Sequence, residues 1–184
     1  MHPSNKYLIG FVGATLVSGV ALWEGKRNTS YEDLAGVLTV CYGYTGKDIV
    51  RGKKYSDKEC ETLLRKEIVE HSKGVVQCIN KPMEERHYNA FVLMAYNVGT
   101  SGFCNSRAAR LFNEGKIEEA CRAIAYTPSG TPAWSYVNKT QFVQGLHNRR
   151  LYEMRTCLGA DNAKQNISYL GDYYGAIRTT LLRS

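Results

Sequence analysis

Trp23-Glu24-Gly25, seven intervening residues, then Asp33-Leu34-Ala35-Gly36-Val37-Leu38-Thr39-Val40-Cys41-Tyr42-Gly43-Tyr44-Thr45-Gly46: the reading of the fold turns on this stretch. Val37 to Tyr42 is dense in β-branched and aromatic residues, which predicts a strand. Tyr44 to Asp48 predicts a turn, and Ile49-Val50 a return strand, so the region reads as a small hairpin-bearing lobe. Gly25 to Ser30 is polar and reads as a connection. Glu24 closes an apolar run, Asp33 lies in a polar, loop-like setting, and Thr39 sits on the strand.

Upstream, Tyr7 to Trp23 carries no charge, with Lys6 before it and Glu24-Gly25-Lys26-Arg27 after it. Its length is at the lower edge of what spans a bilayer as a helix. Gly10, Gly13, Ala14, Thr15, Ser18, Gly19 and Ala21 make it small-sided and weaken its partitioning into hydrocarbon. A cleavable signal peptide needs small residues around a cleavage site, and bulky Trp23 spoils that pattern. A buried core helix is the plain alternative. The preferred reading is a weak, uncleaved membrane signal with the bulk of the chain exported. Cations flank both ends, so charge does not orient it.

Downstream the signals are helical. Ser56-Asp57-Lys58-Glu59 is a capping-box pattern and opens a helix to about Gln77 through Cys60, Leu63, Leu64, Ile68 and Val75. Pro82 fits the first turn of another, carrying Tyr88, Phe91, Met94, Ala95 and Val98 and ended by Gly99. Asn105 or Ser106 caps a short helix with Leu111 and Phe112, stopped near Gly115. Ile117, Ala120, Cys121 and Ile124 mark the next. Thr127 to Pro132 is a loop. Leu146, Leu151, Met154 and Leu158 mark a last helix closed by Gly159. The sum is an α+β fold with a hairpin-bearing lobe and a larger helical lobe. Residues 1–23 read as the apolar segment, 24–159 as the main domain, and 160–184 as an appendage.

A net charge of +7 favours polyanionic partners but does not choose among nucleic acid, cell-wall polymer and anionic lipid. The basic residues are dispersed and no nucleic-acid-binding motif occurs, so nucleic acid is not expected. Cys41, Cys60, Cys78, Cys104, Cys121 and Cys157 form no C-x-x-C pair and have no His at metal-ligand spacing, so no metal site is expected. They fit either three disulfides in an oxidising compartment or six buried thiols; the N-terminal segment favours the disulfides. Six cysteines allow 15 pairings. His2, His71, His87 and His147 are scattered, no nucleophile or phosphate-binding motif occurs, and no cofactor is called for.

Glycoside hydrolysis needs two carboxyl functions, one to protonate the leaving oxygen and one to assist water or stabilise an oxocarbenium-like state. A carboxyl at the end of an apolar helix suits the acid, because apolar surroundings favour its protonated form. That is Glu24. Asp33, in a polar stretch, suits the ionised partner, and the Thr39 hydroxyl can hold a water. Spacing alone does not carry this: a Glu and an Asp so placed are usually solvated surface groups.

The surrounding residues do carry it. The stretch from Trp23 to Gly46 resembles the active-site region of the phage lysozyme family, glycoside hydrolase family 24. That family has a Glu-x8-Asp-x5-Thr triad, which Glu24, Asp33 and Thr39 fit without a gap. Tyr44 stands where the family usually has His. Tyr96-Asn97-Val98-Gly99, Asn113-Glu114-Gly115 with Glu119-Ala120, and Gly145-Leu146-His147-Asn148-Arg149-Arg150-Leu151-Tyr152-Glu153 resemble further family motifs, in order.

The resemblance implies a lysozyme-like endolysin that hydrolyses the β-1,4 bond between N-acetylmuramic acid and N-acetylglucosamine in peptidoglycan glycan strands, for host lysis. It implies Glu24 as general acid, with Asp33 and Thr39 handling the water or the charge. Arg149 resembles an arginine that approaches the catalytic Glu; otherwise it is a solvated helix charge. Asn97 lines the sugar cleft or caps its helix. Tyr44 stacks on sugar or packs within the lobe, and packing is favoured. Related endolysins keep cysteines that suggest pairing Cys41 with Cys60 and Cys121 with Cys157, which leaves Cys78 with Cys104. Residues 7–23 resemble the signal-arrest-release element of some lambdoid endolysins, held uncleaved in the inner membrane and later released to the periplasm. No cysteine lies in that segment, so loss of membrane potential is the favoured trigger. The chain is read as a monomer. The rival readings are a lytic transglycosylase cutting the same bond and an inactive peptidoglycan-binding module.

Overall fold

A computed structural model describes residues 1–33, 36–138 and 140–159; the appendage expected over 160–184 lies outside the described residues. A 3-10 turn, Pro3–Leu8, leads to helix α1, Ala14–Glu24. Strands β1, Arg27–Glu32, and β2, Leu38–Cys41, follow. The helical body comprises α2, Asp57–Cys78; α3, Glu85–Val98; α4, Thr100–Cys104; α5, Arg107–Asn113; and α6, Ile117–Ala125. A minimal hairpin, β3 Tyr136–Val137 and β4 Gln141–Phe142, precedes α7, Gln144–Leu158. The architecture is the expected α+β one.

Two apolar clusters divide the molecule. The small one joins Val40, Cys41, Tyr44, Tyr55 and Cys60 beneath the β1–β2 lobe. The large one is built on α3, where Tyr88 to Ala95 are buried throughout, with Phe103 and Phe112 against Phe91 at ring separations of 5.0 and 5.1 Å. Each such aromatic contributes about 1.5–3 kcal/mol by burial. Leu16 and Val20 of α1 belong to this same core, and Gly19 lets α1 approach α3 so closely that a Cβ there would meet Leu93 at 2.9 Å. The apolar N-terminal segment is thus folded into the body as two short pieces broken at Gly10, whose φ is +83°. No helix among the described residues is long and apolar enough to cross a membrane.

Several sequence expectations are corrected. The partner of β2 is β1, paired antiparallel from Arg27↔Cys41 to Glu32↔Leu38, and not Ile49-Val50. Cys41, at φ +59°, and Gly43, at φ +83°, turn the chain back immediately, leaving only a Val40↔Tyr44 bridge on that side. β1 escapes prediction because its polar side chains hold it: Asn28 donates to the Tyr55 carbonyl at 2.8 Å and accepts the Tyr55 N–H on its backbone oxygen at 2.7 Å. Helix α3 starts at Glu85, three residues beyond Pro82. The Asn5 side chain takes the Met83 N–H at 2.9 Å and donates to the Lys81 carbonyl at 2.8 Å, so a contact across the fold fixes those residues outside the helix. Helix α4 and the β3–β4 hairpin carry no periodic signal at their length.

Three disulfides, Cys41–Cys60, Cys78–Cys104 and Cys121–Cys157, clamp these layers at Cα separations of 5.1, 5.7 and 5.4 Å. The third joins α6 to α7 across 36 residues, and loop-closure entropy assigns it about 3–4 kcal/mol. A Cys121→Ala/Cys157→Ala variant is expected to lose that much stability in urea unfolding. A loss under about 1 kcal/mol would refute this estimate.

The capping box of α2 forms as expected. Lys53 at 2.7 Å, then the Ser56 backbone N–H and hydroxyl, hold the Glu59 carboxyl down at about 2, against 4.5 ordinarily. A depressed carboxyl stabilises the fold above its ordinary pKa, and that contribution fades as pH falls from 4.5 towards 2. Glu59→Gln is therefore expected to flatten the fall of Tm across that window. Parallel Tm–pH curves for variant and wild type would contradict it.

Candidate active site

Glu24 is the last residue of α1, and Gly25, at φ +61°, swings the chain from that helix into β1. The Glu24 side chain is 22% exposed, so it is neither buried in the core nor free in solvent. Arg149, on α7 and 4% exposed, donates from Nη1 to Glu24 Oε1 at 2.5 Å, joining residues 125 positions apart. The other carboxylate oxygen faces the turn after β2: a Cβ on Gly43 would lie 3.7 Å from Glu24 Oε2. Glu24 therefore stands where α1, α7 and the small lobe meet. The alternative reading of Arg149 as a solvated helix charge is not what the fold builds.

The surrounding groups tie the two lobes at this point. The Tyr96 hydroxyl, from α3, donates to the Tyr42 carbonyl at 3.0 Å. Burial, reinforced by the charges of Glu24 and Glu67, raises the Tyr96 phenol, so it remains a neutral donor. His71 of α2 lies 5.1 Å from the Tyr96 ring, and its Nδ1 is 3.3 Å from the Thr100 hydroxyl oxygen. Burial lowers the His71 pKa, with Glu24 and Glu70 opposing, which favours the neutral ring at neutral pH. Sequence reading set His71 aside and gave Tyr96 no role of its own. Neither has a local signal: Tyr96 matters through Tyr42 in the other lobe, and His71 through Tyr96 and Thr100.

Asp33 directly follows β1 and closes the hairpin. Its carboxylate Oδ1 accepts the Val37 N–H at 2.9 Å, its own N–H donates to the Val37 carbonyl at 3.0 Å, and its carbonyl takes the Gly36 N–H at 2.9 Å. Thr39, 4% exposed on β2, donates its hydroxyl to the same Val37 carbonyl at 3.0 Å. Asp33 and Thr39 are thus coupled through Val37, and Glu24 meets their hairpin at the Gly43 turn. Tyr44 is 4% exposed; its hydroxyl donates to Asp48 at 2.5 Å and accepts from Lys66 Nζ at 2.9 Å, so it packs within the lobe. Asn97 is exposed on the last turn of α3, whose cap is Gly99 at φ +80°.

Behind Arg149 the buried face of α7 is charged. Glu153 Oε1 accepts from Arg149 Nε at 3.3 Å and from Arg150 Nη2 at 2.6 Å, and both Arg150 and Glu153 are fully buried. Burial raises the Glu153 carboxyl, opposed by both arginines, and lowers the Arg150 guanidinium, opposed chiefly by Glu153. Leu146, Leu151, Met154 and Leu158, expected as the apolar face of this helix, are only half-buried.

A half-buried carboxyl held by an arginine between a hairpin lobe and a helical body defines a lysozyme-like glycosidase fold. The muramidase domain of SpmX from Asticaccaulis excentricus superposes with a TM-score of 0.69 at 24% identity, over 80% of this chain and 97% of that one. The sequence model of the phage lysozyme family matches residues 21–153. The SAR-endolysin of Bacteriophage PS119 is 38% identical over 135 residues, 73% of this chain and 76% of the relative. The SAR-endolysin of Bacteriophage PS34 is 36% identical over the same shares of each chain, 73% and 76%. The chain belongs to the phage lysozyme family, as a glycoside hydrolase of the lysozyme kind that serves cell lysis.

Proposed function

We propose that this lysozyme hydrolyses the β-1,4 bond between N-acetylmuramic acid and N-acetylglucosamine in peptidoglycan, with Glu24 as the general acid. The observation that carries the reading is the seat of Glu24: half-buried at the lobe junction, one oxygen on Arg149, the other facing Gly43. As the glycosidic bond breaks, the Glu24 proton passes to the leaving oxygen and the sugar develops oxocarbenium character. Asp33 stabilises that charge or, with Thr39, positions the water; its oxygen joins the anomeric carbon and its proton passes to a carboxylate, that of Asp33 or the Glu24 carboxylate left by the first transfer. Asn97 and Tyr44 are the remaining candidates for sugar contact; the burial of Tyr44 makes a packing role the better reading. Mass spectrometry of digested peptidoglycan tests this directly. Reducing muramic ends are expected. Anhydro-muramic ends would make the protein a transglycosylase, and binding without clearing of chloroform-treated Gram-negative cells would make it a wall-binding module.

We infer, further, that residues 7–23 hold the chain in the host inner membrane before it acts in the periplasm as a monomer. The uncharged, small-sided segment supports this, as does the similarity to proteins named SAR-endolysins. Released, residues 14–23 of that segment form the body of α1 and deliver Glu24 at its end.

A further inference from the structure

We propose that Glu153 is a positioning residue for the reaction: by accepting from Arg149 Nε it fixes the guanidinium so that its Nη1 edge meets Glu24. This rests on Glu24 being the catalytic acid. Residues 149, 150 and 153 share one face of α7 at helical spacing, and that face is turned inward. An arginine has a long, rotatable stem, and one bond to Glu24 alone would leave its plane free to swing. Glu153, fully buried, grips the opposite edge of the same guanidinium, at Nε. Arg150, fully buried too, grips Glu153 Oε1 in turn and keeps it in place. The result is a relay, Arg150 to Glu153 to Arg149 to Glu24, in which guanidinium and carboxyl groups alternate.

The relay makes distinct statements about charge and about aim. The titratable groups that reach Glu24 are Arg149 and Arg150 from α7, His71 from α2 and Tyr96 from α3. Removing the Glu153 carboxyl leaves two guanidinium groups near Glu24 with no acidic partner behind them. Glu153→Gln is therefore expected to move the alkaline limb of the activity profile to lower pH. A group that only fills the core would leave that limb where it is.

Glu153→Gln also strands Arg150 in the core, and breaking a buried pair by removing one member destabilises strongly. The second variant, Arg150→Met/Glu153→Leu, avoids this. It replaces the pair with apolar side chains of similar size, an exchange cores often tolerate, and leaves Arg149 and Glu24 as a balanced pair. If Glu153 serves only to neutralise Arg150, this variant has wild-type activity. If Glu153 aims Arg149, the variant folds, with a wild-type far-ultraviolet spectrum, but kcat falls about ten- to a hundredfold while KM changes less than about twofold. Wild-type kcat in the folded double variant overturns the proposal. So does a double variant that does not fold, since Glu153 would then hold the fold and not the arginine. Glu24→Gln, assayed alongside, keeps the two questions apart: activity there refutes the acid assignment, whatever Glu153 does.

Discussion

Glu24→Gln is expected to abolish clearing of Gram-negative cells, by about 10²–10⁴-fold in rate, while leaving the protein folded. Glutamine has the shape of glutamate, and its carbonyl oxygen still accepts from Arg149 Nη1 where Glu24 Oε1 now does at 2.5 Å. What it lacks is a proton to give to the leaving oxygen. The fold tolerates the change because Glu24 is 22% exposed and Arg149 retains its second partner, Glu153, at 3.3 Å. The measurement is the clearing rate beside a thermal melt. Near wild-type clearing by a folded variant would show that another group supplies the proton.

The second large effect concerns release from the membrane. Ala14→Leu, Thr15→Leu and Ser18→Leu together are expected to hold the protein in the inner membrane and block lysis, although the chain purified from membranes still cuts peptidoglycan. The choice of positions comes from α1 itself. Ala14, Thr15 and Ser18 are exposed on the folded helix, so larger side chains there displace nothing. Gly19 is unsuitable, because any side chain meets Leu93, and Gly10 holds a positive φ that Leu resists. Leucine at the three exposed places raises the affinity of the segment for hydrocarbon without weakening the enzyme. Fractionation and the timing of lysis decide the matter. A variant released on the wild-type schedule, or wild-type protein never found with membranes, would leave residues 7–23 as an ordinary helix of the domain.

Both experiments concern α1, and α1 shows how far a sequence can be read. Its apolar character, its small residues and the Glu that ends it were plain in the chain, but whether it spans, anchors or packs was not. Small residues permit all three, and Gly19 under Leu93 selects packing only once α3 is in place. The existence of α2, α3, α5, α6 and α7 was legible from apolar spacing and end signals: Ser56 with Glu59, Ser106, Gly99 and Gly159 act as the sequence says, although Pro82 does not start α3 and the leucines of α7 do not form its buried face. The spacing of Glu24, Asp33 and Thr39 was legible because a family resemblance runs through it.

What the sequence by itself determined, then, is the α+β class, most helices, the even set of cysteines and the carboxyls on which a glycosidase would depend. The tertiary structure alone decided the partner of β2, the start of α3 and the grip of α7 on Glu24. The physical reason is common to all three. Sequence patterns report burial only when what is buried is apolar. β1 is held by polar side chains, residues 81–83 are held by Asn5, and the inner face of α7 carries two arginines and a glutamate beside Thr156 and Cys157. In one dimension those letters describe a surface. Their roles appear only when polar groups meet partners across the fold, as Asn5 does at Lys81 and Met83, and Arg149 at Glu24 across 125 residues.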